Sequence, residues 1–287
     1  MTRPAGSILI LALSVVALLL GCGTSPAQIV PAATVRVTPS PSSMLAPTLL
    51  PAVTPTPLVP DSGWQELRPG LARRVLNLAD EERGWQENVT ILRIDPAGYR
   101  FDVAYRPGRP LPLPNWQDET GALLVVNGGF YTEAYEATGL IISQGRQSGS
   151  SYGAFAGMFA VTPAGPEVRW LQQRPYDPAE PLLAALQSFP ILVKPGHIAG
   201  FAEEDGQRAR RTVVAQDKAG RILFLVAGMG HFTLRELSHF LASSDLELEV
   251  ALNLDGGPSS GLLLAEPALH IPAFAPLPAV ITVYLLE

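Results

Sequence analysis

The 287-residue chain has one cysteine, Cys22, and only two lysines, Lys194 and Lys218. A lone thiol excludes an internal disulfide framework and a cysteine-ligated zinc site. With 20 basic against 26 acidic side chains, net charge −6, the chain lacks the basic footprint of a duplex nucleic-acid binder, so no nucleic-acid partner is expected. Charged residues are scarce at 16%, while 47% of the chain is hydrophobic, which excludes wholesale disorder. The four histidines, His197, His231, His239 and His270, show no H-E-x-x-H or related spacing. P-loop, calcium-loop and dinucleotide fingerprints are also missing. No metal site and no cofactor are therefore expected, with a divalent cation beside the substrate left open. No apolar run reaches the about 20 residues that span a bilayer comfortably. No repeat at a period of about 20–50 residues is evident either.

The apolar run at residues 8–20 is thirteen residues long, broken only by Ser14 and preceded by Arg3. A positive start and a short apolar stretch fit a secretory signal peptide. The run ends in Leu19-Leu20-Gly21-Cys22, which resembles a bacterial lipobox with Cys22 as the residue to be acylated. Residues 1–22 are thus expected to be a lipoprotein signal peptide, the alternative being an uncleaved membrane anchor. Residues 23–63 change character: between Thr24 and Ser62, nine of 39 residues are proline, and Arg36 and Asp61 are the only charges. Proline removes backbone donors and fixes φ, so a disordered stalk is expected, with a reach on the order of 100 Å in polyproline II form. Residues 64–287 remain as the functional domain, extracytoplasmic and lipid-anchored to the cell membrane. That domain carries 18 basic and 25 acidic residues, a net −7. An anionic ligand must therefore be captured by local arginine and backbone N–H groups against the overall field.

Short β-type runs separated by turn residues dominate the domain. Residues 89–95 and 99–105 flank Pro96-Ala97-Gly98 and read as a hairpin. Further strands are expected at 122–126, 139–143, 158–161, 167–171, 211–215, 222–227, 250–254, 262–264 and 280–285. Two segments read as helix: the alanine-rich 181–189, and 233–243, which opens with the capping box Thr233-x-x-Glu236. The expected class is α+β, a single domain with a mixed, largely antiparallel sheet core and a few helices.

Three segments carry candidate chemistry. In the first, a buried-looking strand delivers one acidic side chain, Asp255, into the turn Gly256, Gly257, Pro258, Ser259 and Ser260. Glycines admit close backbone approach, and consecutive N–H groups there form an anion-binding nest. A carboxylate beside an anion has a raised pKa, which suits general acid chemistry. The alternative is a tight turn capped by Asp255. In the second, an apolar strand ends in Asn127, Gly128, Gly129, Phe130 and Tyr131. Asn127 suits hydrogen bonds to sugar or phosphate oxygens, and Phe130 or Tyr131 suits packing on a pyranose. The third is the arginine-rich entry to a strand, Arg208, Arg210 and Arg211. The first two read as a surface cluster on an edge strand; Arg211 reads equally as that or as a bidentate phosphate or carboxylate clamp. Residues 257–261 also satisfy G-x-S-x-G, but a nucleophile elbow needs a helix and then an acid and a histidine well downstream. Only 26 residues follow, four of them proline and His270 the sole histidine. His231, just before the second helix, is a weaker candidate for lining the site.

Together these segments resemble the phosphodiester glycosidase family. Its pattern N-G-G-F-[FY], G-[LI]-x-I, F-P-x-L-V, R-T-x-x-G-x-D-x-x-G, T-L-x-E-[LA] and N-L-D-G-G-x-S-[ST] appears in order. The blocks fall at 127–131, 139–145, 189–193, 211–220, 233–237 and 253–260. Ala215 and Pro258 depart from it, each standing where a glycine is usual. The resemblance implies hydrolysis of a sugar-1-phosphodiester, similar to a GlcNAc-1-phosphodiester, that releases the sugar and a phosphomonoester. It makes Asn127, Arg211 and Asp255 the catalytic groups. Gly128, Gly129, Phe130, Tyr131, Gly256, Gly257, Ser259 and Ser260 become substrate-binding residues, and Glu133 and Glu136 are candidates should a second carboxylate be needed. The expected partner is a phosphoglycan or sugar-1-phosphodiester. The alternative is a surface lipoprotein that keeps the scaffold but only binds or helps assemble exopolysaccharide.

Overall fold

Short apolar runs separated by turns fold the described residues, 59–204 and 206–286 of the computed structural model, into eighteen strands and two α-helices. The chain begins with β1 (Gln65–Arg68), β2 (Leu71–Asp80), β3 (Trp85–Ile94), β4 (Tyr99–Tyr105) and helix α1 (Leu113–Thr120). Next come β5 (Leu124–Asn127), β6 (Ile141–Ser143), β7 (Arg146–Ser148), β8 (Gly157–Thr162), β9 (Gly165–Trp170), β10 (Ala184–Ser188), β11 (Ile191–Lys194) and β12 (Ile198–Ala199). The last part holds β13 (Ala209–Asp217), β14 (Ile222–Phe232), α2 (Leu234–Ser243), β15 (Leu248–Asn253), β16 (Leu262–Leu264), β17 (Leu269–Ile271) and β18 (Ala279–Leu285). Every ladder pairing among the described residues is antiparallel. The fold is therefore β-rich, and the expected α+β label fits it only roughly.

Three sheets enclose one core. The first runs β1-β2-β3-β14-β13-β15-β11-β12, the second β7-β6-β10-β8-β9, and the third β17-β16-β5-β18-β4. Leu92, Ile94, Phe224 and Val226 of the first sheet meet Phe159 and Leu186 of the second and Val126 and Ile281 of the third. The intervening residues Val89, Ile91, Leu223 and Leu225 face the other way, toward α2 through Leu237 and Leu241. Such strands are buried on both faces, which is why they read as nearly continuous apolar runs. Helix α2 starts where expected: the Thr233 hydroxyl accepts from Glu236 N–H, and the Glu236 carboxylate accepts from Thr233 N–H.

Two expectations fail on the same ambiguity. The segment read as a helix at 181–189 is strand β10. Ala184 and Leu186 enter the central core while Ala185 enters a second cluster with Met158. A central strand covered on both faces has no polar stripe to distinguish it from a buried helix. The hairpin at 89–105 also does not form: β3 pairs with β2 and β14, whereas β4 pairs with β18 in a different sheet. Pro96–Gly98 is a 3-10 turn that switches sheets, capped by Asp95. Helix α1 was not foreseen. It closes on Gly121 in the left-handed region and buries Trp116, whose indole N–H donates to Leu277 O at 2.8 Å.

The signal segment, Cys22 and residues 23–58 of the expected stalk lie outside the described residues. The last residues assigned to that stalk are stitched to β2. Asn77 N–H donates to Pro60 O, Asp61 bridges to Leu76, and Arg74 pairs with both Asp61 and Asp245. Among the described residues no helix is long and apolar enough to cross a membrane.

Candidate active site

Three strand ends meet to build the site. β5 stops at Asn127, β13 carries Arg211 near its start, and β15 stops at Asn253. The turns that follow β5 and β15 touch through a hydrogen bond from Asp255 N–H to Gly128 O, 3.0 Å. Asn127 locks them together. Fully buried, it donates through Nδ2 to Asp255 O at 2.8 Å and Gly128 O at 3.3 Å, while its Oδ1 accepts from Gly261 N–H at 3.0 Å. The side chain expected to touch substrate is thus committed to backbone and braces the site from behind. Asn127→Ala leaves the Asp255 carbonyl and the Gly261 N–H without these partners, at a cost of about 1–3 kcal/mol for each buried group. Urea denaturation is expected to show that loss; an unchanged midpoint would return Asn127 to the ligand.

The first two glycines serve the same closeness. A Cβ on Gly128 would lie 2.8 Å from Ala279 O, and one on Gly129 2.9 Å from Gln187 O. These glycines let the turn pack between the second and third sheets, so packing rather than ligand approach demands them. Gly256 is different: a Cβ there would meet Arg210 O at 3.0 Å and the Arg211 guanidinium at 3.7 Å. Its bare backbone lets the Asp255 turn lie against Arg211.

Asp255 accepts from Gly256 N–H at 2.9 Å, and the Ser259 hydroxyl is near enough to stabilise its ionised form. Ser259 Oγ lies 3.1 Å from the Tyr131 hydroxyl. The two hydroxyls share this hydrogen bond, which sets Tyr131 and Ser259 side by side next to Asp255. Burial pushes the Asp255 carboxyl above its usual pKa, and the Ser259 and Gly256 donors pull it back. Burial likewise raises Tyr131.

Arg211 is buried, its guanidinium donating to Phe232 O at 3.3 Å and Gln207 O at 2.6 Å. It lines a cleft of about 480 Å³ together with Asn253 and Gly256. Phe130, Phe155, Phe189, Trp170 and Phe201 give that cleft an aromatic wall, with Phe130 and Phe189 ring centroids 4.6 Å apart. Asp255 adjoins the cleft through Gly256, its carboxyl turned to Ser259. The structure therefore brings together Arg211, Gly256 and Phe130 in the cleft, with Asp255, Ser259 and Tyr131 beside it.

Other expected residues fall elsewhere. Glu133 and Glu136 are exposed in the turn after Tyr131. Arg208 pairs with Glu236 on the surface, as expected, but β13 is not an edge strand: it lies between β14 and β15, and Arg210 is half-buried and stacks on Phe274 at 4.4 Å. His231 does not line the cleft: its ring stacks on Trp85 at 5.4 Å, and its backbone N–H donates to the Glu87 carboxylate. Ser260 is buried with its hydroxyl unpartnered among the described residues. Gly257, at φ +57°, turns the chain into a 3-10 turn, Gly257–Ser259, in which Pro258 needs no N–H partner. The Pro258 carbonyl accepts from Phe274 and Ala275 N–H, so this departure supports the neighbouring loop instead of a nest. Ala215 is buried against Leu223 and Ala251. Among the described residues no group of three His, Cys, Asp or Glu side chains is placed to hold a metal.

The family model described as phosphodiester glycosidase matches residues 120–284, which include all three strand ends and both turns. The chain belongs to the phosphodiester glycosidase family. Its fold is similar to the zebrafish N-acetylglucosamine-1-phosphodiester alpha-N-acetylglucosaminidase catalytic domain, solved as auto-inhibited by pro-peptide. That match has TM-score 0.59 and 18% identity, covering 77% of this chain and 85% of that one. A hypothetical protein from Synechocystis matches at TM-score 0.51 and 15% identity, covering 76% and 62% of the two chains. A putative exported protein from Burkholderia pseudomallei matches at TM-score 0.51 and 13% identity, covering 69% and 74%. No curated protein matches the chain by sequence. Within this phosphodiester glycosidase fold, sequence reasoning missed the cleft residues Phe155, Trp170, Lys194, Phe201 and Glu203. Phe189 sat inside a recognised block, but nothing in the pattern marked it as a wall. For Lys194 the only available signal was the scarcity of lysine itself.

Proposed function

We propose that the protein hydrolyses a sugar-1-phosphodiester, similar to a GlcNAc-1-phosphodiester, on an extracytoplasmic glycan or glycoconjugate, with Cys22 as its lipid anchor. The observation that carries this reading is one arginine in an aromatic-walled cleft with a carboxylate, Asp255, beside it next to Ser259 and Tyr131. Aromatic faces suit the apolar side of a pyranose, and a guanidinium suits a phosphodiester anion. Water adds to the anomeric carbon as the bond from that carbon to the phosphate oxygen breaks. The carboxylate of Asp255 takes the water's proton and steadies the positive charge that develops on the sugar. Arg211 holds the departing phosphomonoester and stabilises its added charge. A phosphate leaves without protonation, so a second carboxylate is not required, in keeping with the exposed Glu133 and Glu136.

The turn of the Asp255 carboxyl toward Ser259, outside the cleft lining, favours a second reading in which the chain only binds exopolysaccharide. Incubating the full chain with a GlcNAc-1-phosphodiester and assaying free sugar separates the two. Release of the sugar with an equal amount of phosphomonoester supports hydrolysis. Saturable binding of polysaccharide fragments without release supports the second reading.

A further inference from the structure

The cleft holds a second cation. Lys194, one of only two lysines in the chain, lines it together with Trp170, its ammonium 4.9 Å from the indole centroid. A cation over an indole face is attracted by the ring, yet its N–H groups stay available for other partners. Among the described residues that ammonium makes no ion pair. The platform under it is fixed. Trp170 ends strand β9 immediately after Arg169, whose buried guanidinium is held by Glu180 at 2.5 and 2.6 Å and by Glu167. An acidic chain thus places a lysine on a rigid aromatic ledge inside its main cleft.

Strand register gives the separation from Arg211. β11 and β13 flank β15 on either side, so they lie about 10 Å apart. Val193 pairs with Ala251 and Val213 with Asn253, which puts Lys194 near the level of Val250 and Arg211 near that of Asp255. Five residues at about 3.3 Å each add roughly 16 Å along the strands. Both side chains line the same cleft, and this strand separation is on the scale of a short saccharide. Glu203 also lines the cleft, exposed, so an anion is favoured only where a cation meets it.

We infer that the cleft takes a glycan bearing a second anionic group, phosphate or carboxylate, held by Lys194 on Trp170 while Arg211 holds the scissile phosphodiester. This rests on the hydrolytic reading above and adds the substrate's second charge to it. The test uses three sugar-1-phosphodiesters of matched length: one neutral beyond the scissile group, one with an added phosphate and one with an added uronate. KM, kcat and, by tryptophan fluorescence, Kd are measured for the full chain and for its Lys194→Gln and Lys194→Arg variants.

The wild type is expected to show KM and Kd about tenfold lower for at least one added anion. Lys194→Gln should bring that ratio close to one, and Lys194→Arg should keep most of it. Which added group shows the preference identifies its source. Equal constants for all three compounds in the wild type, or a preference that survives Lys194→Gln, would overturn the inference while leaving hydrolysis intact. Turnover of none of them overturns the hydrolytic reading, and the Kd ratio then still decides the role of Lys194.

Discussion

Asp255→Asn is expected to lower kcat/KM on a sugar-1-phosphodiester by about 10³-fold, the upper part of the range for losing a positioned acid–base group. Asn keeps an oxygen for the Ser259 hydroxyl and the Gly256 N–H but neither takes a proton nor carries charge. The loss should fall on kcat, because the carboxylate matters most once positive charge develops at the anomeric carbon. Two companion effects separate this from a folding defect. Burial raises the folded-state pKa of Asp255 above its ordinary value of 3.8. Its contribution to stability is therefore full below the unfolded pKa and is lost as pH rises through the folded one. At neutral pH the buried carboxylate opposes folding, and Asp255→Asn should melt no lower than the wild type. Because the ionised form is the active one, kcat/KM should fall on the acid side of a limb lying above the usual aspartate range. Titration of activity from pH 3 to 8, on the order of five pH units around that limb, is the check. A limb that persists unchanged in Asp255→Asn assigns it to another group.

Arg211→Ala should cost on the order of 10²–10³ in kcat/KM, since it removes the group that stabilises charge on the departing phosphate. Arg211→Lys keeps the charge but not the planar fork that donates to two carbonyls, so it is expected to recover only a minor part of the activity. The pair of variants matters because Arg211 also ties Phe232 and Gln207 together. Arg211→Ala loses both fold and chemistry, whereas Arg211→Lys at an unchanged melting temperature isolates the chemistry. Full activity in either variant removes Arg211 from the site.

What the sequence disclosed followed from local chemistry. The Thr233 capping box, the turn glycines and the apolar period of β8, β13, β14 and β18 are each set by near neighbours, and each element formed where those neighbours pointed. Features decided at long range were hidden. β10 looks helical because two different cores cover its faces, and β3 and β4 look like a hairpin although β3 pairs with β2 before it and with the distant β14, and β4 with the distant β18. At the site, Arg211 and Asp255 were legible because a charge entering an apolar strand is conspicuous. Asn127 was conspicuous for the same reason, but only the fold showed that its amide is committed to Asp255 O and Gly261 N–H. Trp170 carried no mark and Lys194 only its rarity, because their meeting depends on sheets two and one converging at the cleft.

The central claim is that the broken bond joins the anomeric carbon to the phosphate oxygen. Hydrolysis of a sugar-1-phosphodiester in ¹⁸O-labelled water, with both products analysed by mass spectrometry, tests it directly. Label recovered in the sugar and absent from the phosphomonoester is the expected result. Label in the phosphate would show attack at phosphorus, and the assignment of Asp255 and Arg211 to glycosidic cleavage would be wrong.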